Sequence, residues 1–121
     1  MKIFAWKDRK HRNNKDGKDL GFIISNYVEL KYEILYEKYE DIIDAQDFDV
    51  TISGARILGR DMKELIGTNQ IALQTLKEIL ENEIIDEDNS LLARAIVEGG
   101  IRNYDIGYQA LTNLLKGLND E

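Results

Sequence analysis

The stretch Val50 to Gly67, VTISGARILGRDMKELIG, decides the fold. Ala55, Leu58, Met62, Leu65 and Ile66 recur at the spacing of a helix with one apolar face, which they are expected to turn inward. Gly67 follows the last of them and suits the left-handed position that ends many helices. Gly54 and Gly59 sit inside the pattern, each at a cost of about 1 kcal/mol relative to alanine. Each therefore needs a reason, and close approach of another helix is the natural one. Arg56, Arg60 and Asp61 could line a site, but ion pairs fixing this helix to its neighbours are the expected role.

The rest of the chain has the same period. Leu20, Ile23, Ile24, Tyr27 and Val28 form one face of a helix that begins near Asp16. A second helix is expected from Glu33 to Ala45, with Tyr32, Tyr36, Tyr39 and Ile43 as one stripe and Leu35, Tyr39 and Ile42 as its neighbour. Thr68 or Asn69 should cap the fourth helix, whose apolar positions are Ile71, Ala72, Leu76, Ile79, Leu80 and Ile84. Ser90 caps a short fifth helix, Leu91 to Val97, stopped by Gly99 and Gly100. The last helix runs from about Asn103 to Leu118. The chain has no proline, which is compatible with uninterrupted helices. The expected fold is all-α, a compact bundle of five or six helices in a single domain spanning 1–121, with an apolar start and basic loop over 1–15.

The first twenty residues, MKIFAWKDRKHRNNKDGKDL, carry a charge asymmetry. They hold seven of the 16 Lys+Arg and three of the 23 Asp+Glu, a net of +4, leaving −11 for the remainder and −7 overall. A cationic head on an acidic body suggests an anionic partner. The net charge argues against nucleic acid binding across the whole surface, although one basic patch still could bind it. No cysteine is present, so neither a disulfide framework nor a cysteine-ligated metal is available. A reducing cytoplasm is the default location. No apolar run approaches the roughly 20 residues of a membrane span.

Two motifs carry a resemblance. The opening A-W-x-D-R, a basic spacer and K-D-x-x-D-L, followed by SGARILGRDMKELIG from Ser53, resemble the predicted nucleotidyltransferases of the DNA polymerase β-like superfamily, near the AbiEii abortive-infection type. The resemblance covers roughly Lys2 to Leu80. It implies that Lys2, Arg9, Lys15, Asp16 and Asp19 belong to a nucleotide-binding set. Such a set supplies cations around a triphosphate while the α-phosphorus is attacked. Members of this group also carry a Gly-Ser or Gly-Gly loop and a D-x-D metal pair upstream of the lysine motif, and this chain begins where that motif begins. The resemblance therefore implies the helical C-terminal part of such a protein. The palm that binds Mg²⁺ and nucleoside triphosphate in an intact relative would be a separate partner encoded upstream. Catalysis, metal binding and cofactor binding are not expected of this chain alone.

Bland readings stand beside these. A basic run beside a terminus is most often solvated surface. Asp16 and Asp19 share a helix face and could hold a divalent cation, or simply stabilise the helix dipole. Asp47-Phe48-Asp49 is a D-x-D by letter, but it follows the lysine motif with no Gly-Ser loop before it, and a helix-breaking turn explains it. His11, the single histidine, makes no dyad, and Ser25, Ser53 and Ser90 have no histidine at motif spacing. The alternative to the nucleotidyltransferase reading is a non-enzymatic helical interaction module. It would pair with a separately encoded partner or form a homo-oligomer through Ile3, Phe4 and Trp6.

Overall fold

Polar side chains placed before apolar runs set where the helices begin. The computed structural model describes Ile3, Phe4, Lys7 and residues 15–120, and among these there is helix and no strand. The helices are α1 (Lys15–Leu30), a 3-10 turn (Tyr32–Ile34), α2 (Leu35–Lys38), α3 (Glu40–Ile43), α4 (Val50–Ile66), α5 (Gln70–Ile84), α6 (Leu91–Glu98) and α7 (Tyr104–Asn119). Asp49 caps α4 by accepting from the Thr51 and Ile52 amides at 2.8 and 2.9 Å. Asn69, Ser90 and Asn103 accept in the same way from Ala72, Ala93 and Ile106. Each satisfies a helix-start amide that would otherwise lack a partner, worth about 1 kcal/mol.

The all-α expectation holds; the helix count among the described residues is seven rather than five or six. The difference lies in the second expected helix. The segment 33–45 is not continuous, because Ile34 (φ −108°) and Tyr39 (φ −127°) leave helical geometry. The pieces form a strap along α4: Lys38 reaches Glu64, Tyr39 reaches Asp61, and Asp41 reaches Arg60. One straight helix would keep a single face inward, whereas the breaks let the strap follow α4. Only the Leu35, Tyr39 and Ile42 stripe is buried; Tyr32 and Tyr36 are exposed.

Two crossings bring helix backbones into contact. Gly59 of α4 meets α7 at Leu114 and Gly117, and Gly117 meets α4 at Arg56. Gly21 of α1 meets the Ile96 carbonyl of α6, and Gly99, just after α6, meets the Lys18 carbonyl of α1. Side chains at these points would hold the helices apart, so glycine here permits the approach. Gly54 differs, since its nearest neighbour is the Val28 side chain. A single buried cluster fills the space between the helices, from Leu20 and Ile24 through Ala55, Leu58, Leu76, Leu80 and Ile96 to Leu111, Leu114 and Leu118.

Three expectations are corrected. Leu65, expected inside, is 83% exposed, while Met62 and Ile66 on either side of it take the inward places of the last turn of α4. Ile71 is also exposed, and Leu73 takes the inward place; two residues apart on a helix, they lie about 200° apart around it. Gly67 has φ 63° but ψ −124°, so it ends α4 with a positive φ outside the left-handed helical region.

The apolar start is corrected in part. Ile3 is fully buried in the chain's own core, so it needs no second copy to cover it, and Phe4 is half-buried against that core. Trp6 lies outside the described residues. No helix among the described residues is long and apolar enough to cross a membrane.

Candidate functional site

The nucleotide-side set suggested by the sequence is partly placed. Lys15, Asp16 and Asp19 lie in the first turns of α1, where Lys15 is exposed, Asp16 is buried and Asp19 is half-buried. Asp16 sits where a helix dipole favours negative charge. Lys2, Arg9 and His11 lie outside the described residues. Among the described residues, no group of three His, Cys, Asp or Glu side chains stands where it could hold a metal ion. The Asp47-Phe48-Asp49 turn is a helix start. Burial pushes the Asp49 carboxyl up, but the Ile52 amide, Arg102 at 2.7 Å and the Thr51 amide together hold it below its ordinary range.

The densest polar constellation lies on α4. Along one face, Arg56, Arg60 and Lys63 converge on Asp120. Arg56 donates to its carboxylate through Nε at 2.8 Å and Nη2 at 3.0 Å, and Arg60 through Nε at 2.8 Å. Lys63 donates to the Asp120 carbonyl oxygen at 2.5 Å. The far end of the Arg60 guanidinium makes a fork to Asp41 at 3.0 and 2.6 Å. Hydrogen bonds from Arg56, and then from Arg60, hold the Asp120 carboxyl below its ordinary range against the opposing effect of burial. Arg60 is pushed up, chiefly by Asp41.

Asp61, one residue on, faces the strap and α1. Its carboxylate accepts from the Tyr27 hydroxyl at 2.5 Å and from the Tyr39 hydroxyl, with Lys31 at 3.9 Å and Lys38 at 4.0 Å. Burial, and then the bond to Asp61, push the Tyr27 phenol well above its ordinary range. Lys38 also pairs with Glu64 at 2.6 Å. Beside Asp120 opens a cleft of about 440 Å³ walled by Lys38, Tyr39, Arg60, Lys63, Glu64 and Asp120.

The expected ion pairs of Arg56 and Arg60 are therefore present. The sequence reading missed Lys63, Asp120 and the two tyrosines bound to Asp61. The i, i+4, i+7 spacing of Arg56, Arg60 and Lys63 was a usable signal for one cationic face. Asp120 carried no such signal. Ser53 and Ser90 serve as helix-start partners. No family model, curated protein or solved structure matches this chain.

Proposed function

We propose that this chain is the helical C-terminal part of a nucleotidyltransferase-like protein. It supplies cations from the K-D-x-x-D region to a nucleotide bound by a separate palm, and is inactive alone. The reading rests on the two sequence motifs. The observation that supports it is the placement of Ile3 in the helical core, with Lys15 exposed at the start of α1. Titrating the labelled protein with magnesium nucleoside triphosphates tests this by nuclear magnetic resonance. Amide shifts confined to residues 7–20, weakened by salt and lost in Lys15→Glu, are expected, with no release of pyrophosphate. No shift in that stretch with any of the four common nucleotides would sink the reading.

A second reading, the interaction module, draws on the bare apolar side chains Leu30, Tyr32, Ile34 and Leu65. Ile34 and Leu65 border one groove, and Leu30, Tyr32 and Ile34 another. Exposed apolar patches commonly mark interfaces. Leu65→Asp should leave melting unchanged and abolish any association seen in sedimentation. A monomer at every concentration, with no partner retained, removes this reading.

A further inference from the structure

Three cations on consecutive turns of α4 meet one residue, Asp120. Asp120 accepts four hydrogen bonds, three on its carboxylate from Arg56 and Arg60 and one on its carbonyl from Lys63. Both Nε donors fall on the same oxygen, Oδ2. A carboxylate brings one negative charge and two oxygens to this place. With Asp41 counted, three cations face two carboxylates among the described residues, and Asp41 is itself largely exposed at 61%. The donor set is larger than its occupant. Guanidinium forks pair as well with phosphate oxygens as with carboxylates, and a phosphate offers more oxygens and more charge.

The surroundings are those of a site. The cleft beside Asp120, about 440 Å³, falls within the size range of small-molecule pockets. Arg60 and Lys63 line it, Arg56 stands outside it on the Asp120 carboxylate, and its wall also holds Lys38 with the Glu64 that pairs with it. Gly59, flanked by Arg56 and Arg60, holds α4 against α7 at backbone contact, so the guanidinium positions are fixed by the crossing. Asp120 itself lies past the end of α7 on extended backbone, φ −66° and ψ 145°. Its carboxylate can leave the cations without unwinding a helix.

We propose that the Arg56–Arg60–Lys63 face and its cleft form a binding site for a small di- or triphosphate, occupied in cis by the Asp120 carboxylate. The site is separate from the K-D-x-x-D segment and does not depend on the nucleotidyltransferase reading.

Inorganic pyrophosphate is the probe. Asp120→Asn keeps the shape and the backbone acceptor but removes the competing charge. It should bind pyrophosphate about tenfold more tightly than the wild type, a change that needs only a modest electrostatic gain. The Nε–Hε resonances of Arg56 and Arg60 should shift, and pyrophosphate should restore the melting temperature of the variant. Adding Arg60→Gln should abolish the gain. Equal affinity of wild type and Asp120→Asn, or tightening that survives Arg60→Gln, overturns the proposal. So does tighter binding of a single-stranded oligonucleotide than of pyrophosphate. If Asp120→Asn does not fold, the wild-type arginine resonances decide: movement with pyrophosphate supports the site and no movement overturns it.

Discussion

Gly54 and Gly59 lie in the same helix, yet alanine should act on them in opposite directions. Replacing a helical glycine by alanine gains about 1 kcal/mol of helix propensity at either site. At Gly54 the new methyl meets Val28 Cγ2 at 3.3 Å, the end of a side chain on half-buried ground. That contact needs only a small adjustment, so Gly54→Ala should be neutral or stabilising by up to about 0.5 kcal/mol. At Gly59 the methyl would overlap the Leu114 carbonyl and stand 3.0 Å from Gly117 Cα and 3.1 Å from the Leu118 amide nitrogen. All three are backbone, so no rotamer change relieves the clash and α4 must move off α7. Overpacking of this kind costs about 3 kcal/mol, which leaves Gly59→Ala destabilised by roughly 2 kcal/mol after the propensity gain. For a chain of this size that is a fall in melting temperature on the order of 5–10 °C. Urea unfolding followed by circular dichroism measures both variants on one scale. If Gly59→Ala is as stable as the wild type, or indistinguishable from Gly54→Ala, the backbone contact between α4 and α7 is not what the structure describes.

Two further outcomes follow from the polar face of α4. Tyr39→Phe removes a hydroxyl that donates to Asp61 from a side chain only 1% exposed; it should cost about 2 kcal/mol by urea unfolding, and a loss below measurement error would mean that the Tyr39 hydroxyl does not bind Asp61. The Asp120 carboxyl lies below its ordinary value of 3.8 in the folded chain, so its contribution to stability is full above that pH and is lost as pH falls through the lower folded value. The wild type should therefore melt above Asp120→Asn at neutral pH, with the gap closing below pH 3.8; a gap that persists in acid would assign the difference to something other than this carboxylate.

What the sequence made readable was local chemistry. Ser90, and either Thr68 or Asn69, were expected as caps because a side-chain oxygen satisfies amides two or three residues away, and Ser90 and Asn69 do so. The apolar face of α1 was readable because the period of Leu20, Ile24 and Tyr27 is itself the helix. The broken strap was not readable, because Leu35, Tyr39 and Ile42 fit a continuous helix equally well. What breaks it is the run of contacts along α4, at Asp61, Arg60 and Glu64, which are remote in sequence. The two α4 glycines looked alike for the same reason: their difference lies in α1 and α7. Asp120 was out of reach altogether, since it meets Arg56 across 64 positions.

The stretch Gly54-x-Arg56-x-x-Gly59-Arg60 acquires a physical logic once α7 is in place. A glycine at a helix crossing removes the side chain that would set the spacing, and the residues on either side of it then flank the partner helix. Arg56 and Arg60 flank Gly59 in this way, so the contact that lets α7 approach also aims both guanidiniums at the place where α7 ends. Arginine suits that position better than lysine, because a planar fork keeps its direction once its stem is packed. Separating the helices at Gly59 should therefore disturb the anion-facing geometry as well as the core. The crossing that brings α7 against Gly59 is thus also what brings Asp120 to Arg56 and Arg60.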